Sequence, residues 1–239
     1  RIEPPVVVVS EDGAVVVPLL GGHRGANALA LRIAAALGAT AAVTTASDRR
    51  LGIALDEPPA GWRLGHGAEV AAFTAALLEG APVRLVVDAG DPRWLEESGL
   101  RRDETAALEL RATHRSIEGD ARRLVLHPPV LAVGVGAERG VPEEALADLV
   151  LPLMAEQGLA PEAVACVASL DLKAAEPAIH RLAARLGVPA RFFAAARLHD
   201  ETPRLAQPSE AVFRDTGCWG VAEGAALAAA GAEARLLVP

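Results

Sequence analysis

The hydrophobic pattern opens with two short apolar runs separated by a turn signal. Val6 to Ser10 and Ala14 to Leu20 are rich in valine and leucine, and an Asp-Gly pair lies between them. Branched apolar runs joined in this way are typical of a β-hairpin. From Ala26 to Leu37 leucine and isoleucine then recur every four residues and Gly38 follows, which predicts a helix with a glycine stop. A further strand is expected over Ala42 to Thr45.

The middle of the chain is less periodic. A helix is expected over about Ala68 to Leu78 and a strand over Val83 to Asp88. The stretch from Gly90 to Arg123 is charged and shows no clear period, so we expect an irregular connecting region there.

A new pattern starts at Pro128, where apolar strand-like runs alternate with helical ones. This alternation predicts a largely parallel sheet flanked by helices. The fold class is therefore α/β, with two small α/β domains, 1–66 and 128–239, and a middle or connecting region over 67–127. The predicted strands are Val130–Val135, Ala163–Leu170, Ala190–Phe193 and Arg235–Val238, and the predicted helices are Pro142–Gln157, Ala175–Leu186 and Val221–Ala230.

Composition and charge exclude several classes of protein. The 239 residues are 51% hydrophobic, enough to build real cores. A net charge of −8 argues against a nucleic-acid binder, and charges or glycines interrupt every apolar run before the roughly 18–20 residues that a membrane span needs. Two cysteines are too few for a disulfide scaffold and favour a cytoplasmic location. The missing initiator methionine suggests a piece of a longer chain.

The loop between the hairpin and the first helix is the first candidate site. Glycine amides and a helix N-terminus favour an anionic oxygen, so Gly22 and Gly25 are expected to contact a carboxylate. His23 is suited to move a proton near neutral pH or to donate to a carboxylate, and Arg24 to pair with one. Asn27 either caps the helix or bonds the ligand. A simple strand-to-helix turn is the alternative.

A second glycine loop follows the first strand of the second domain. Its third glycine is one residue late for a dinucleotide fingerprint, and no acidic strand end follows about 20 residues on, which excludes a nicotinamide site. Its glycines, Gly136 among them, would still form a ligand crevice at the carboxyl end of a parallel strand, and Arg139 and Glu138 would face it. A generic glycine turn is the alternative.

The third candidate loop follows the next strand, so it is expected beside the second loop. Ser169, Asp171, Lys173 and Glu176 gather where a helix begins, and Lys173 is the only lysine among 23 basic residues. A compact ammonium fits a tight site that an arginine cannot. The alternative is that the two acids stabilise the helix N-terminus and the lysine is solvated.

These loops belong to sequence blocks that resemble a known family. The segment LLGGHRGANALALRIAAALGATAAVTTASD looks like the central signature of the cobalamin-biosynthesis CbiG family, the cobalt-precorrin-5A hydrolases. AVGVGAERGVPEEAL, ASLDLKAAEPAIHRLAARLGVPARFF and PSEAVFRDTGCWGVAEGAALAAAGAEARLLVP resemble, in order, its C-terminal domain, which is shared with the stand-alone CobE proteins. The resemblance leaves only the middle stretch uncovered.

The resemblance implies a corrin precursor that carries many carboxylates, and the opening of its δ-lactone by water with release of acetaldehyde. That reaction needs a base, oxyanion donors and an acid. Our hypothesis is that His23 acts as base or acid, with Asp48 an equally placed base after its strand, and that amides near Gly22 and Gly25 act with Asn27 as oxyanion donors. Arg139 and Lys173 would anchor carboxylates. The other substrate-binding candidates are Arg24, Thr45, Gly136, Ser169, Asp171 and Glu176.

No cofactor is expected, and cobalt would arrive only inside the substrate, because the six histidines show no paired ligand spacing. The expected partners are the corrinoid and other enzymes of the pathway such as a precorrin methyltransferase, with neither nucleic acid nor membrane.

Enzymatic activity stays open at this point. The alternative is a non-catalytic corrinoid-binding module of the aerobic pathway, fused to a precorrin-3B methyltransferase. Two departures from the family favour it: Ala137-Glu138 replaces a Cys-Arg pair, and the histidine loop is one residue shorter. An unrelated nucleotide- or sugar-phosphate-binding α/β protein is the third reading.

Overall fold

The computed structural model describes residues 4–22, 25–43 and 51–239. In the N-terminal part, β1 (Val6–Val9) pairs antiparallel with β2 (Val15–Leu20), as the hairpin signal predicted, and β2 pairs parallel with β3 (Thr40–Ala41). A small core of Val16, Ala30 and Ala34 joins this sheet to helix α1. The strand predicted over Ala42–Thr45 is found earlier, at Thr40–Ala41, whereas Ala42 and Val43 are not in a strand and residues 44 and 45 lie outside the described residues. The elements are β1 (Val6–Val9), β2 (Val15–Leu20), α1 (Ala26–Leu37) and β3 (Thr40–Ala41).

The middle part is an ordered four-stranded sheet, so the prediction of an irregular region over Gly90–Arg123 is wrong. The sheet has the order β4-β7-β6-β5, in which only β4 runs antiparallel to its neighbour. Its core contains Phe73, Leu110 and Leu124. The domain limits at 66 and 127 stay predictions. The elements are β4 (Arg63–Leu64), α2 (Val70–Leu78), β5 (Val83–Val87), α3 (Arg93–Glu96), β6 (Leu108–Ala112) and β7 (Arg123–His127).

Strand β6 was not predicted from the sequence, because the face opposite to its core face carries charged residues. Leu110 lies in the core, while Glu109 and Arg111 point to the other face. The Glu109 carboxylate is buried and contacts the guanidinium groups of Arg84 and Arg123 on the two neighbouring strands. A charged residue in a strand is stable here because its cross-strand neighbours neutralise it.

The C-terminal part is a three-stranded, fully parallel sheet with the order β10-β9-β8. Val167 packs with helices α4 and α5, whereas the adjacent Ala168 and Leu170 pack with α8, so helices cover both faces. The predicted α/β class and parallel sheet are confirmed. The elements are β8 (Leu131–Gly134), α4 (Ala145–Glu156), β9 (Val164–Leu170), α5 (Pro177–Leu186), β10 (Ala190–Phe193), α6 (Ala195–His199), α7 (Glu210–Thr216) and α8 (Val221–Ala230).

The predicted last strand, Arg235–Val238, is wrong for this structure, because the segment has no ladder partner among the described residues. Helices α6 and α7 were not predicted, since five and seven residues are too few to show a helical period. No helix in the described ranges is both long and apolar enough to cross a membrane.

The middle and C-terminal sheets are joined by hydrogen bonds to loop carbonyls. The Arg63 guanidinium donates to the carbonyl oxygens of Leu186 at 2.8 Å and Gly187 at 2.7 Å, which end helix α5. The amide of Ala160 donates to the carbonyl of His114 at 2.9 Å. A cation at a helix C-terminus satisfies carbonyls that have no partner within the helix.

Candidate functional site

The N-terminal candidate loop lies between β2 and α1. Asn27 is 8% exposed, and a Cβ atom at Gly22 would lie 3.2 Å from its Oδ1. The glycine therefore lets the backbone pass close to the Asn27 carboxamide, as expected of a glycine that brings a main chain near a polar group. The predicted residues His23, Arg24, Thr45 and Asp48 lie outside the described residues.

Gly25 begins helix α1 with a left-handed backbone, φ 92°, which favours glycine. Its N–H donates to Oε1 of Glu57 at 3.0 Å. Because the first turn of α1 has no acidic residue, Glu57 supplies the negative charge that a helix N-terminus favours. Sequence reasoning missed Glu57, since it lies 32 residues further along the chain and no local pattern marks it.

At the carboxyl end of β8, Gly134 is required by packing. A Cβ atom there would lie 1.9 Å from the carbonyl oxygen of Ala222, so helix α8 crosses directly over the strand. At Gly136 a Cβ atom would lie 3.5 Å from Cβ of Val221, an ordinary contact. The loop after β8 thus lies beside the N-terminus of α8.

The second and third loops lie side by side, as predicted. Ser169 Oγ donates to the carbonyl of Val135 at 2.7 Å, and both groups are buried. The Gly140 amide donates to Glu176, at 3.2 and 3.4 Å from its two carboxylate oxygens. Glu176 is 6% exposed.

The cationic and acidic candidates around these loops differ in exposure. Arg139 and Asp171 are exposed, and Lys173 is half-buried in a short 3₁₀ turn. Their side chains lie at the carboxyl edge of the sheet, where ligands of open α/β sheets bind. Their roles in binding stay predictions.

Both glycine loops hold a carboxylate of the protein itself. Gly25 binds Glu57 and Gly140 binds Glu176, each through a backbone N–H. In both loops a glycine amide thus donates to a carboxylate oxygen. A ligand carboxylate at either amide has to replace the glutamate already bound there.

A cavity of about 740 Å³ runs along the outer edge of β8, between helices α4 and α8. Its wall is mainly aliphatic, and Leu131, Val133, Leu153 and Leu227 contribute to it. His114, from the middle sheet, also lines it, and the buried Nε2 of this residue has no hydrogen-bond partner. Burial, with a smaller contribution from Arg115, lowers the pKa of His114 from its ordinary value.

Metal-binding groups do not cluster in the described ranges, where no three His, Cys, Asp or Glu side chains are placed to hold one ion. Cys166 and Cys218 are both buried and free. Burial raises the pKa of Cys166, an effect that nearby Arg191 partly offsets. A buried thiol with a raised pKa is a weak nucleophile.

Family models match both ends of the chain. Residues 1–48 match the family described as "Cobalamin synthesis G N-terminal", and residues 131–239 match "Cobalamin synthesis G C-terminus".

Three named proteins are similar to the chain. Protein CobE of Sinorhizobium sp is 52% identical over 108 residues, which cover 45% of this chain and 70% of that protein. The cobalt-precorrin-5A hydrolase of Priestia megaterium is 28% identical over an alignment of 261 positions, which covers 100% of this chain and 69% of the enzyme. The enzyme of the same name from Salmonella typhimurium is 30% identical over 217 residues, covering 83% of this chain and 61% of the enzyme.

Proposed function

The chain belongs to the cobalamin synthesis G family, and from this membership we propose that it acts on a corrin precursor in cobalamin biosynthesis, opening the δ-lactone of cobalt-precorrin-5A with release of acetaldehyde. The observation that carries the proposal is the similarity to a hydrolase of that substrate along the whole chain. The match includes the N-terminal part, where the histidine loop lies.

Lactone opening breaks a C–O bond and needs a base for water, donors for the carbonyl oxyanion and an acid for the departing oxygen. Release of acetaldehyde then needs a base that takes the proton of the freed hydroxyl group while the C–C bond to the macrocycle breaks and its electron pair passes into the ring. We assign the proton transfers to His23 and Asp48. For the oxyanion we assign the Gly22 amide with the Asn27 carboxamide, because the buried Asn27 lies directly against Gly22. The Gly25 amide was an equal candidate by sequence, but it already binds Glu57.

The carboxylates of the substrate require cations at the edge of the binding site. In this proposal Arg139 and Lys173, at the carboxyl end of the parallel sheet, bind them with Arg24 from the first loop. The pair formed by Gly140 and Glu176 keeps the loop of Arg139 in place, since it ties that loop to the start of α5. Asp171 and Ser169 border the same edge, and Thr45 and Gly136 complete the proposed contacts.

The alternative, a non-catalytic corrinoid-binding module, is not favoured. The similarity to CobE covers 45% of the chain, whereas the two hydrolases cover 100% and 83% of it. The proposed substrate carries its own cobalt, so no protein-bound cofactor enters the proposal. A reducing cytoplasm is the proposed location, because both cysteines are free thiols.

The decisive experiment incubates the full-length protein with cobalt-precorrin-5A without oxygen and measures acetaldehyde. We expect product from the unchanged protein, and a loss of about 10²–10⁴-fold in rate for His23→Ala, the usual contribution of a general acid or base. His199→Ala is the matched control, because this histidine is exposed on the short helix α6. Tight retention of the corrinoid without any acetaldehyde would instead establish the binding module.

A further inference from the structure

An aromatic pair lies in the segment that leads into helix α8. The chain has four phenylalanines and three tryptophans, and the rings of Phe213, on α7, and Trp219 stack with their centroids 4.6 Å apart and their planes 18° from parallel. Both side chains are half-buried, yet neither belongs to a hydrophobic cluster of the described residues. Within the same ranges no ring other than Phe213 contacts the indole. An aromatic ring outside the cores is free to stack on a ligand.

The backbone directs the Trp219 side chain toward the loop that follows β8. Gly220 is extended, with φ −168° and ψ 117°, and in an extended segment the side chains of residues i and i+2 lie on the same side. Val221 lies against Gly136, where a Cβ atom would be 3.5 Å from the Cβ of Val221. On the opposite side, a Cβ atom at Gly220 would lie 3.3 Å from Leu205. The indole is therefore on the side of the Gly136 loop.

Hydrogen bonds fix the backbone on both sides of the indole. The carbonyl of Trp219 accepts a hydrogen bond from the amide of Ser209 at 2.7 Å. The carboxylate of Glu223, in the first turn of α8, accepts from the amides of Ala206 at 2.6 Å and Gln207 at 3.2 Å. A tryptophan has only two side-chain torsions, so a ring on such a frame loses little conformational entropy when a ligand stacks on it.

The charges of the neighbouring loops balance each other. Arg139 is exposed three residues after Gly136, and Lys173 lies half-buried on the adjacent loop, but the exposed acids Glu138 and Asp171 belong to the same two loops. Long-range attraction alone therefore does not hold a polyanion at this edge. A ligand with a flat apolar face and carboxylates on its rim fits the arrangement, because its face stacks on the indole while its rim pairs with the cations.

We propose that Trp219, supported by Phe213, stacks on the face of the tetrapyrrole macrocycle and holds it at the crevice beside Gly136. This inference rests on the proposed function, which supplies the ligand class, a corrin precursor that carries carboxylates. It adds the segment before α8 to a site formed by the loops after β8 and β9. Because the ring contacts the macrocycle and not the lactone, Trp219 contributes to binding and leaves the proton transfers to other groups.

Fluorine NMR of the full-length protein labelled with 5-fluorotryptophan tests this contact. The 239 residues contain three tryptophans, and the signal that disappears in Trp219→Phe is that of Trp219. The probe is cobyrinic acid, a stable cobalt corrin with free carboxylates. We expect it to shift the Trp219 signal, because a macrocycle over the indole changes the magnetic environment of its fluorine. The signals of Trp62 and Trp94, which pack on each other at the core of the middle sheet, should stay in place.

Acetaldehyde kinetics with cobalt-precorrin-5A give a second measurement. Trp219→Ala should raise KM about three- to tenfold, the effect expected when one aromatic stacking contact is lost, with a smaller change in kcat. Trp219→Phe should recover most of the binding, because it keeps a ring. Trp62→Phe is the matched control, since it also removes a tryptophan but lies in the middle sheet, and it should leave KM unchanged.

The two measurements separate the stacking contact from the proposed function. A shifted Trp219 signal without any acetaldehyde would contradict the lactone hydrolase and support the contact. A Trp219 signal that stays in place at every corrinoid concentration would overturn the contact, even where acetaldehyde is formed. A raised KM in Trp219→Ala together with an unmoved signal would overturn it as well, because the effect would then come from lost packing on Phe213. The NMR experiment uses the unchanged side chain, so it remains decisive if Trp219→Ala fails to fold.

Discussion

The carboxylate of Glu57 accepts a hydrogen bond from the amide of Gly25 at 3.0 Å, across 32 residues of chain. This contact places a negative charge at the N-terminus of helix α1, where the predicted substrate site begins. It ties the segment after residue 51 to the histidine loop. The loop predicted to bind an external carboxylate is thus held by an internal one.

Replacing Glu57 by glutamine should lower the free energy of unfolding by about 0.3–1 kcal/mol, since the amide oxygen still accepts the bond but its charge no longer favours the helix N-terminus. The loss should shrink in high salt, because the charge is only partly buried. Urea denaturation of the two proteins measures it. Glu104→Gln, in an exposed turn, is the control and should have no effect of this size.

Gly134→Ala, at the end of β8, and Gly136→Ala, in the loop after it, are a matched pair. At Gly134 the new Cβ would meet a backbone oxygen at 1.9 Å, so the helix above has to shift and we expect a loss of at least about 3 kcal/mol. At Gly136 the nearest contact is 3.5 Å, and stability should change by less than about 1 kcal/mol. Thermal unfolding of the two variants and of the unchanged protein measures these losses of stability. Equal losses would contradict the position of α8 over β8.

Arg63→Ala should destabilise the contact between the middle and C-terminal sheets. It removes two charge-assisted hydrogen bonds to the end of α5, and such bonds contribute about 1.5–3 kcal/mol. Arg63→Lys should recover only part of this, because an ammonium cannot reproduce the planar fork. Arg122 is exposed next to β7, so Arg122→Ala is the control for the loss of a positive charge without loss of these hydrogen bonds. Denaturant unfolding monitored by tryptophan fluorescence measures the differences in the free energy of unfolding.

His114 should make the fold sensitive to mild acid. Its pKa is lowered in the folded state from the ordinary 6.5, chiefly by burial and then by Arg115, with Arg235 acting in the same direction and Asp88 opposing them. The unfolded chain therefore binds the proton more readily, so stability is retained above pH 6.5 and falls as the pH drops through that value.

The comparison that measures this effect uses unfolding at pH 7.5 and 5.5. His114→Gln should lose less stability than the unchanged protein over this interval, because it has no imidazole to protonate. His199→Gln should behave like the unchanged protein, since His199 is exposed. A loss that is identical in all three proteins would assign the acid sensitivity to other groups.

Elements whose apolar residues repeat with a clear local period were predicted correctly from the sequence. Helix α1 over Ala26–Leu37, helix α8 over Val221–Ala230 and strand β10 over Ala190–Phe193 have the predicted bounds. Each carries its own signal, a repeat of apolar residues with a stop or turn beside it. The alternation of such elements after Pro128 also determined the parallel sheet, because parallel strands need helical crossovers.

The sequence also indicated an anion for the first glycine loop, because the amides of a glycine loop at a helix N-terminus favour anionic oxygens. It could not indicate which anion is bound in the folded chain. Glu57 reaches Gly25, and Glu176 reaches Gly140, only because distant segments are packed against the loops.

Tertiary structure alone decided the remaining features. Strand β6 is stable because Glu109 lies between arginines of neighbouring strands, a pairing that no linear pattern reveals. Residues 235–238 have the pattern of a strand but have no ladder partner among the residues that the structure describes. Local patterns determine which element a segment is able to form. Strand pairing, burial and cavities depend on which distant segments meet, because a strand is stabilised by the side chains of neighbouring strands and a buried charge by an opposite charge beside it.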